Sequence, residues 1–454
     1  MPIDTTKGER TNLFSAVRNQ YKLLEEILSG TGNAFALKVA GAGLNFGVSV
    51  LLARLLGPQG TGLYFLALSS INLATIIGRA GLDNTLLRFV SVSSFRANWI
   101  QVSRTYYGGM SLALLASLVM TALLGGGAKW ISESLFGEPS LAPALRLMSL
   151  SIAPFSLVML HSESLKGLRR ISSAIMVGSV AIPFFSISMM VFLVPQFHLN
   201  GAVLSYVLAT ILALFLGLVF WRRFTPKLSF SVERSDVRLL TETSFPLLGV
   251  AIANLLISST STFLLQYWVD SDAVGIYNIA YRTATLTSFV LFAVNSVVAP
   301  RFASFYAEGN LERLEKTALT AARVMTLLGL PMLILFVLTP RWVLTFFGPG
   351  FAEASTALAI LAIGQFVNVI TGSVGYILMM CGYERLVRNN VFVFAFLNVL
   401  FNGFLIPILG INGAAISTSI TVALMNIVLV FIVYRKLGIM TLPLPIGRTR
   451  YAKQ

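Results

Sequence analysis

The chain has 454 residues, of which 56% are hydrophobic and 11% charged, and its mean hydropathy is +0.81. This composition excludes a soluble globular protein and predicts an all-α protein whose helices cross a membrane. The net charge of +15 would suit a nucleic-acid partner, but no basic cluster alternates with aromatic stacking residues, so we expect none. With one cysteine, Cys381, and two histidines without companion ligands, we expect no intrachain disulfide, no metal site and no cofactor.

The N-terminal segment, residues 1–33, is polar and lacks the hydrophobic core of a cleavable signal peptide. This segment carries apolar side chains at steps of three and four residues, at Phe14, Val17, Tyr21, Leu24 and Leu28. Such spacing predicts a short amphipathic helix, which either lies in the cytoplasmic interface of the membrane or packs as a solvated helix on the protein.

Apolar segments long enough to cross a bilayer follow from Ala34 onward. They predict twelve transmembrane spans, numbered here in chain order: 34–56, 63–89, 105–127, 141–165, 172–194, 199–221, 244–268, 275–299, 317–339, 354–380, 388–409 and 412–434. Lysine and arginine concentrate in the connections on one side, whereas only Arg54, Lys129 and Arg341 lie on the other. By the positive-inside rule, we expect both termini in the cytoplasm.

An internal repeat divides the spans into two sets of six. The segment 199–207 (LNGAVLSYV) matches 411–419 (INGAAISTS), and Gly62-Leu63-Tyr64 matches Gly275-Ile276-Tyr277, at offsets of about 212 residues. Because six is an even number, both copies begin on the same side of the membrane, which predicts a parallel repeat with two lobes. The predicted parts are the N-terminal segment 1–33, an N-lobe 34–221, a cytoplasmic linker 222–243, a C-lobe 244–434 and a cytoplasmic tail 435–454.

Polar side chains follow one side of the first two spans of each copy, at steps of three and four residues. If equivalent helices of the two lobes face each other, these stripes line a cavity between the lobes. Neutral polar residues also serve helix packing in membranes, so the pattern over four spans carries more weight than any one residue. We expect no catalytic residues, and the candidates for substrate binding are Lys38, Asn45, Ser49, Asn72, Arg79, Asp83, Asn254, Ser258, Gln266, Asn278, Tyr281, Arg282 and Thr285.

Three cations among these candidates lie inside spans, where an ionised side chain is costly unless it meets a partner or a water-filled cavity. Lys38 either snorkels to the headgroups or enters the cavity. Arg79 has Asp83 as an i,i+4 partner, which suits a structural role or a cavity role. Arg282 has no acidic residue nearby in the sequence, so it either binds an anion or bonds to helix carbonyls. From the number of residues between each cation and the ends of its span, we expect Lys38 and Arg79 in the inner half of the membrane and Arg282 in the outer half.

Several of these segments resemble a known family. The sequences Leu52-Ala53-Arg54-Leu55-Leu56-Gly57-Pro58, Val274-Gly275-Ile276-Tyr277-Asn278-Ile279-Ala280-Tyr281-Arg282 and Gly410-Ile411-Asn412-Gly413-Ala414-Ala415 are similar to the starts and ends of spans in bacterial polysaccharide transporters. These are lipid-linked oligosaccharide flippases of the multidrug/oligosaccharidyl-lipid/polysaccharide superfamily. The resemblance covers essentially the whole membrane region.

The resemblance implies a MATE-like fold of twelve helices in two lobes, alternating access, and a location in the bacterial inner membrane. It also implies a cationic cavity that carries a polyprenyl-diphosphate-linked oligosaccharide from the inner to the outer leaflet. A glycan polymerase and export machinery are the protein partners that such a role implies.

Two other functions remain open on the sequence. A cation-coupled drug or metabolite antiporter shares the fold, but the resemblance implies for that branch an acidic residue in span 1 or 7, where this chain has Lys38 and only Glu242. A membrane glycan polymerase or ligase needs catalytic groups on a sizeable outer loop, and no predicted outer loop is long. We therefore expect a transporter that is not an enzyme.

Overall fold

A computed structural model describes residues 32–226 and 234–443 of the chain. The predicted interfacial helix in residues 1–33 lies almost entirely outside the described residues, as do much of the predicted tail and residues 227–233 of the predicted linker. Within the two described ranges every regular element is a helix, which confirms the all-α prediction.

Helices alternate with short breaks along the described chain. In chain order they are Gly32–Arg79, Leu82–Phe95, Trp99–Trp130, the π-helix Ile131–Leu135, Leu141–Ser149, Ile152–Gly167, Ile171–Ile175, the π-helix Met176–Ala181, Ile182–Phe224, Arg234–Trp268, Ser271–Ala284, the 3₁₀ turn Thr285–Ser288, Phe289–Ala307, Leu311–Leu338, Pro340–Thr345, the 3₁₀ turn Phe351–Ala354, Ser355–Ile370, Val374–Met380 and Glu384–Leu437.

The helices account for the twelve predicted spans. Among the described residues, eight helices are long and apolar enough to cross a membrane, and Leu141–Ser149 with Ile152–Gly167 forms a further span bent by 45°. Three of the eight are 47 to 54 residues long, whereas about 20 residues suffice to cross a bilayer. Each of these three contains one residue with non-helical backbone angles, at Gly57, His198 or Gly410, and so holds two spans.

The repeat is visible in the backbone. His198 and Gly410 break their helices at equivalent positions, each three residues after a proline, Pro195 or Pro407. Three residues later, Gly201 and Gly413 both lie so close to the preceding helix that an added Cβ would overlap a carbonyl oxygen, of Leu193 and Leu405 respectively. The same tight reversal therefore joins spans 5 and 6 and spans 11 and 12.

Several spans are less regular than the sequence predicts. Span 2, predicted as 63–89, stops at Arg79 and restarts at Leu82, because Ala80 and Gly81 both have positive φ. Span 8 contains the 3₁₀ turn Thr285–Ser288, and span 10 is interrupted at residues 371–373, where Gly372 has φ +75°. The predicted linker 222–243 is also partly helical, since a helix begins at Arg234.

The lobes meet at the end of the molecule that carries the breaks at Gly57, His198 and Gly410, which we call the Gly62 end. There Gly62 of span 2 and Gly275 of span 8 pack against each other's helix, and an added Cβ on either would overlap backbone oxygen of Ser271 or Pro58. Because these glycines are equivalent in the repeat, the contact lies on the approximate two-fold axis between the lobes.

Reciprocal contacts surround this axis. The Phe136 ring stacks on Phe263 of span 7 at 6.1 Å between centroids, and Phe347 meets Phe46 of span 1 edge-to-face at 5.5 Å. Phe136 and Phe347 begin the two Phe-Gly pairs of the repeat. Two hydrogen bonds accompany them: the Arg54 Nε donates to the Phe346 carbonyl at 2.8 Å, and Gln266 Nε2 donates to the Phe136 carbonyl at 3.5 Å. The Gly62 end is thus closed by matching contacts from both lobes.

The opposite end, which we call the linker end, is closed on one side. Gly81 of span 2 packs against the backbone of Ser244 and Leu248 in span 7, again without room for a Cβ. Spans 1 and 8, on the other side of the axis, instead flank a cavity. This asymmetry positions the candidate site described next.

Candidate functional site: a cationic cavity between the lobes

A cavity of two adjoining compartments lies where the lobes face each other. The first, about 460 Å³, is bounded by spans 1 and 8 and by Ser179 of span 5. The second, about 300 Å³, extends into the N-lobe between spans 1, 2, 4, 5 and 6. Three residues line both compartments: Asn45, Ser179 and Arg282.

Arg282 is the main charge at this junction. Its guanidinium lies 4.4 Å from the centroid of the Phe65 ring, a cation–π contact between the lobes. Within the described part of the chain no carboxylate lies within ion-pair distance of Arg282, and its Nε has no hydrogen-bond partner. Tyr64 and Tyr206 line the compartment that this arginine faces. A cation in this setting can accept an anionic ligand without first losing a partner.

Lys38 brings a second cation to the first compartment. Its Nζ donates a hydrogen bond to Ser179 Oγ at 3.2 Å and lies 5.0 Å from the centroid of the Phe292 ring on span 8. The side chain thus contacts both lobes, Ser179 in its own lobe and the Phe292 ring in the other. Lys166 and Glu163, which pair with each other at 2.5 Å, both act electrostatically on Lys38, and they do so in opposite senses.

Ser179 was not among the sequence candidates, although it contacts both compartments. It lies in the π-helix Met176–Ala181, and π-helical turns occur frequently at functional sites. Gly41 of span 1 approaches closely, so that an added Cβ would lie 2.8 Å from the Ser179 carbonyl oxygen. Sequence patterns do not reveal a π-helical turn, and span 5 lacks the stripe of polar residues by which the other candidates were recognised.

Four neutral candidates also lie on the cavity. Asn45, Ser49 and Thr285 line the first compartment, and Asn72 lines the second. Thr285 Oγ1 donates to the Arg282 carbonyl at 2.7 Å, within the 3₁₀ turn that follows this arginine.

Arg79 and Asp83 form an ion pair at 2.6 Å across the break in span 2. The Arg79 Nε also donates to the Thr75 carbonyl at 3.3 Å. Neither residue lines the two compartments. The pair therefore connects the two helical pieces on either side of Ala80 and Gly81.

The remaining candidates do not line the two compartments. Asn254 and Ser258 are exposed and bond to carbonyls of their own helix, while Gln266 joins the contacts at the Gly62 end. Asn278 is buried and donates to Thr262 Oγ1 at 3.1 Å, and Tyr281 stacks on Tyr277 with ring centroids 6.1 Å apart. The structure therefore places no span 7 candidate on the cavity, which spans 4, 5 and 6 line instead.

This geometry can be compared with known proteins. A family model described as "Polysaccharide biosynthesis protein" matches residues 27–306, more than half of the chain. The chain belongs to this polysaccharide biosynthesis protein family. A second model, described as MatE, matches residues 246–404, so the resemblance noted in the sequence is confirmed.

The relatives of this chain include one named as a transport protein and one named as a probable flippase. It is 27% identical over 325 residues to the succinoglycan biosynthesis transport protein ExoT of Rhizobium meliloti, an alignment that covers 71% of this chain and 63% of ExoT. It is 25% identical over 173 residues to the probable flippase AglR of Haloferax volcanii, covering 37% of this chain and 36% of AglR. The chain thus spans less than two thirds of the length of these relatives.

Among solved structures, lipid II flippase MurJ in an inward closed conformation superposes with a TM-score of 0.74 at 15% identity, covering 88% of this chain and 87% of MurJ. Identity at this level shows the fold alone, and it confirms the predicted MATE-like, two-lobed architecture. This member of the polysaccharide biosynthesis protein family is therefore a multi-pass membrane protein with the MATE-like fold.

Proposed function

We propose that this protein is a flippase that moves a polyprenyl-diphosphate-linked oligosaccharide from the inner to the outer leaflet of a bacterial cell membrane. The observation that carries the proposal is the unpaired Arg282 guanidinium at the junction of the two compartments, with Lys38 on the opposite lobe of the same cavity. Neither cation forms an ion pair with a carboxylate of the described residues, and two such cations suit a diphosphate, because charge-assisted hydrogen bonds strengthen in a low-dielectric cavity.

The rest of the cavity suits the other parts of this cargo. Asn45, Ser49, Asn72 and Thr285 offer donors and acceptors for sugar hydroxyls. Phe289 and Phe292 of span 8 border the first compartment and provide an apolar edge along which the polyprenyl chain remains in the bilayer. The proposed protein partners are a glycan polymerase and export machinery.

The proposed transport cycle is alternating access with both termini in the cytoplasm. In that orientation the closed Gly62 end faces outward, and the cavity between spans 1 and 8 belongs to an inward-facing state. Lys38 and Arg282 line the same compartment, which supports joint action of the two cations on the diphosphate. Both cations then hold the diphosphate before the lobes rock.

The orientation gives a testable prediction. Reporter fusions after Gly60, Pro139 and Asp272 are expected to place the reporter outside the cell, because all three positions lie at the Gly62 end. A fusion after Arg170, at the linker end, is expected to report the cytoplasm. The measurement is the paired activity of a reporter that works only outside and one that works only inside. The opposite pattern would reverse the direction of the proposed cycle.

Transport itself is tested with the purified full-length protein in phosphatidylcholine vesicles that carry a fluorescent polyprenyl-diphosphate disaccharide in both leaflets. A membrane-impermeant quencher bleaches about half of the label in protein-free vesicles, and we expect it to bleach nearly all of it when the protein is active. A protein that instead exports a cationic dye and leaves the lipid-linked sugar in place would be the antiporter left open by the sequence.

A further inference from the structure

The linker end of the N-lobe carries a surface that the proposed cavity does not use. We call it the basic face and define it as Phe95, Arg96, Ile100, Arg169, Arg170 and Ile171. It forms where the connection between spans 2 and 3 meets the connection between spans 4 and 5. Ser94 Oγ donates to the Gly167 carbonyl at 3.3 Å and holds the two connections together.

The arginines of the basic face are exposed and have no acidic partner. Arg96, Arg169 and Arg170 are all exposed, and within the described residues no carboxylate lies within ion-pair distance of them. The sequence has no Asp or Glu between Asn84 and Ser132 or between Ser164 and Val232. A concentrated positive charge therefore remains available to an external anion.

The C-lobe differs at the same end. Its connections carry Glu308, Glu312 and Glu384 among their basic residues, and Lys316 bonds to Glu312 at 2.6 Å. The uncompensated charge is thus a property of the N-lobe and not of every connection at this end.

Apolar and aromatic side chains accompany the arginines. Phe95, the last residue of the helix Leu82–Phe95, is 76% exposed, and Ile100, near the start of the helix Trp99–Trp130, is 67% exposed. The Arg169 guanidinium lies 5.4 Å from the centroid of Phe95, and that of Arg170 lies 4.7 Å from the centroid of Phe224. These cation–π contacts orient the arginines and leave their N–H groups free to donate.

We propose that the basic face binds the phosphodiester headgroup of an anionic phospholipid from the surrounding leaflet, with Phe95 and Ile100 against its acyl chains. The arginine forks match phosphate oxygens, and the apolar side chains match the boundary between headgroup and hydrocarbon. A water-soluble anion would use the arginines but gain nothing from the two apolar side chains. The lipid is therefore the occupant that uses the whole face.

The test measures phosphatidylglycerol retained by the full-length protein, by native mass spectrometry from phosphatidylcholine nanodiscs doped with phosphatidylglycerol. The double substitution Arg169→Gln with Arg170→Gln is expected to lower the affinity roughly tenfold. The matched control, Arg313→Gln with Lys316→Gln, removes the same charge at the same end of the C-lobe and is expected to bind as the wild type does. Arg169→Lys with Arg170→Lys retains the charge and is expected to bind at an intermediate level. This variant still tests the proposal if the glutamine variant does not fold.

Three results would overturn the proposal. Equal losses in the test and control variants would show diffuse charge attraction instead of a site. Unchanged binding after the double substitution would show that Arg169 and Arg170 do not bind the lipid headgroup. Displacement of phosphatidylglycerol by equimolar inorganic phosphate would show that the face takes a soluble anion. None of these outcomes depends on sugar transport by the cavity.

Discussion

Replacing Arg282 by alanine is expected to lower glycan export about ten- to a hundred-fold while folded protein remains in the membrane at the wild-type level. The loss follows from the geometry: among the described residues this guanidinium has no ion-pair partner and its Nε no hydrogen-bond partner, so its removal chiefly deletes one charge-assisted bond to the cargo. Such a bond contributes roughly 1.5–3 kcal/mol, which corresponds to one to two orders of magnitude in rate. The measurement is surface glycan in cells that lack their own transporter, normalised to the membrane level of each variant.

Two further variants sharpen this result. Arg282→Lys is expected to restore part of the export, because the charge returns without the bidentate fork. Arg313→Ala, which removes an exposed arginine at the linker end, is expected to export normally. Normal export by Arg282→Ala at equal abundance would show that this residue packs against Phe65 and serves structure alone.

Gly62→Ala is expected to prevent the Gly62 end from closing. Its added Cβ would overlap the Ser271 carbonyl oxygen and crowd the backbone at Gly275, and neither group belongs to a side chain that can move aside. Overpacking of this kind costs about 1–3 kcal/mol, enough to shift the balance between closed and open states roughly 5- to 150-fold. We therefore expect export to fall roughly 5- to 150-fold and the open state to gain population by the same factor.

The shift can be measured as a distance between spin labels on Gln59→Cys and Asp272→Cys, two exposed positions on either side of the contact. Cys381, the one native cysteine, is buried, so it adds little background labelling. Gly126→Ala is the matched control, because a Cβ there meets no neighbouring atom within 4 Å. An unchanged label distance and unchanged export in Gly62→Ala would show that the lobes tolerate a side chain at this contact.

Sequence patterns predicted the parts of this fold that depend on composition and period. The spans, the repeat and the glycine markers Gly62 and Gly275 were all visible in the sequence, because apolar length and recurring turn residues are local properties. The same patterns did not show that these two glycines pack against each other, since that contact depends on how the lobes meet.

The cavity was harder to predict because a polar side chain in a membrane helix can bond to a carbonyl of its own helix whether or not it also faces a cavity. Asn254 and Asn45 have the same spacing pattern, and each donates to a carbonyl four residues earlier in its own helix. Only one of them lines the cavity. Ser179 was missed for the opposite reason, because its position depends on a local change in helical winding.

The tight reversals at His198 and Gly410 also bear on how the chain enters the membrane during biogenesis. No Asp, Glu, Lys or Arg occurs between Arg170 and Arg222 or between Arg388 and Arg435, so each reversal joins two spans that are free of formal charge at neutral pH. In the proposed orientation only the reversal itself has to be translocated, while the flanking arginines stay on the cytoplasmic side. Spans 5–6 and 11–12 are thus suited to insert as preformed helical hairpins, one late in the synthesis of each lobe.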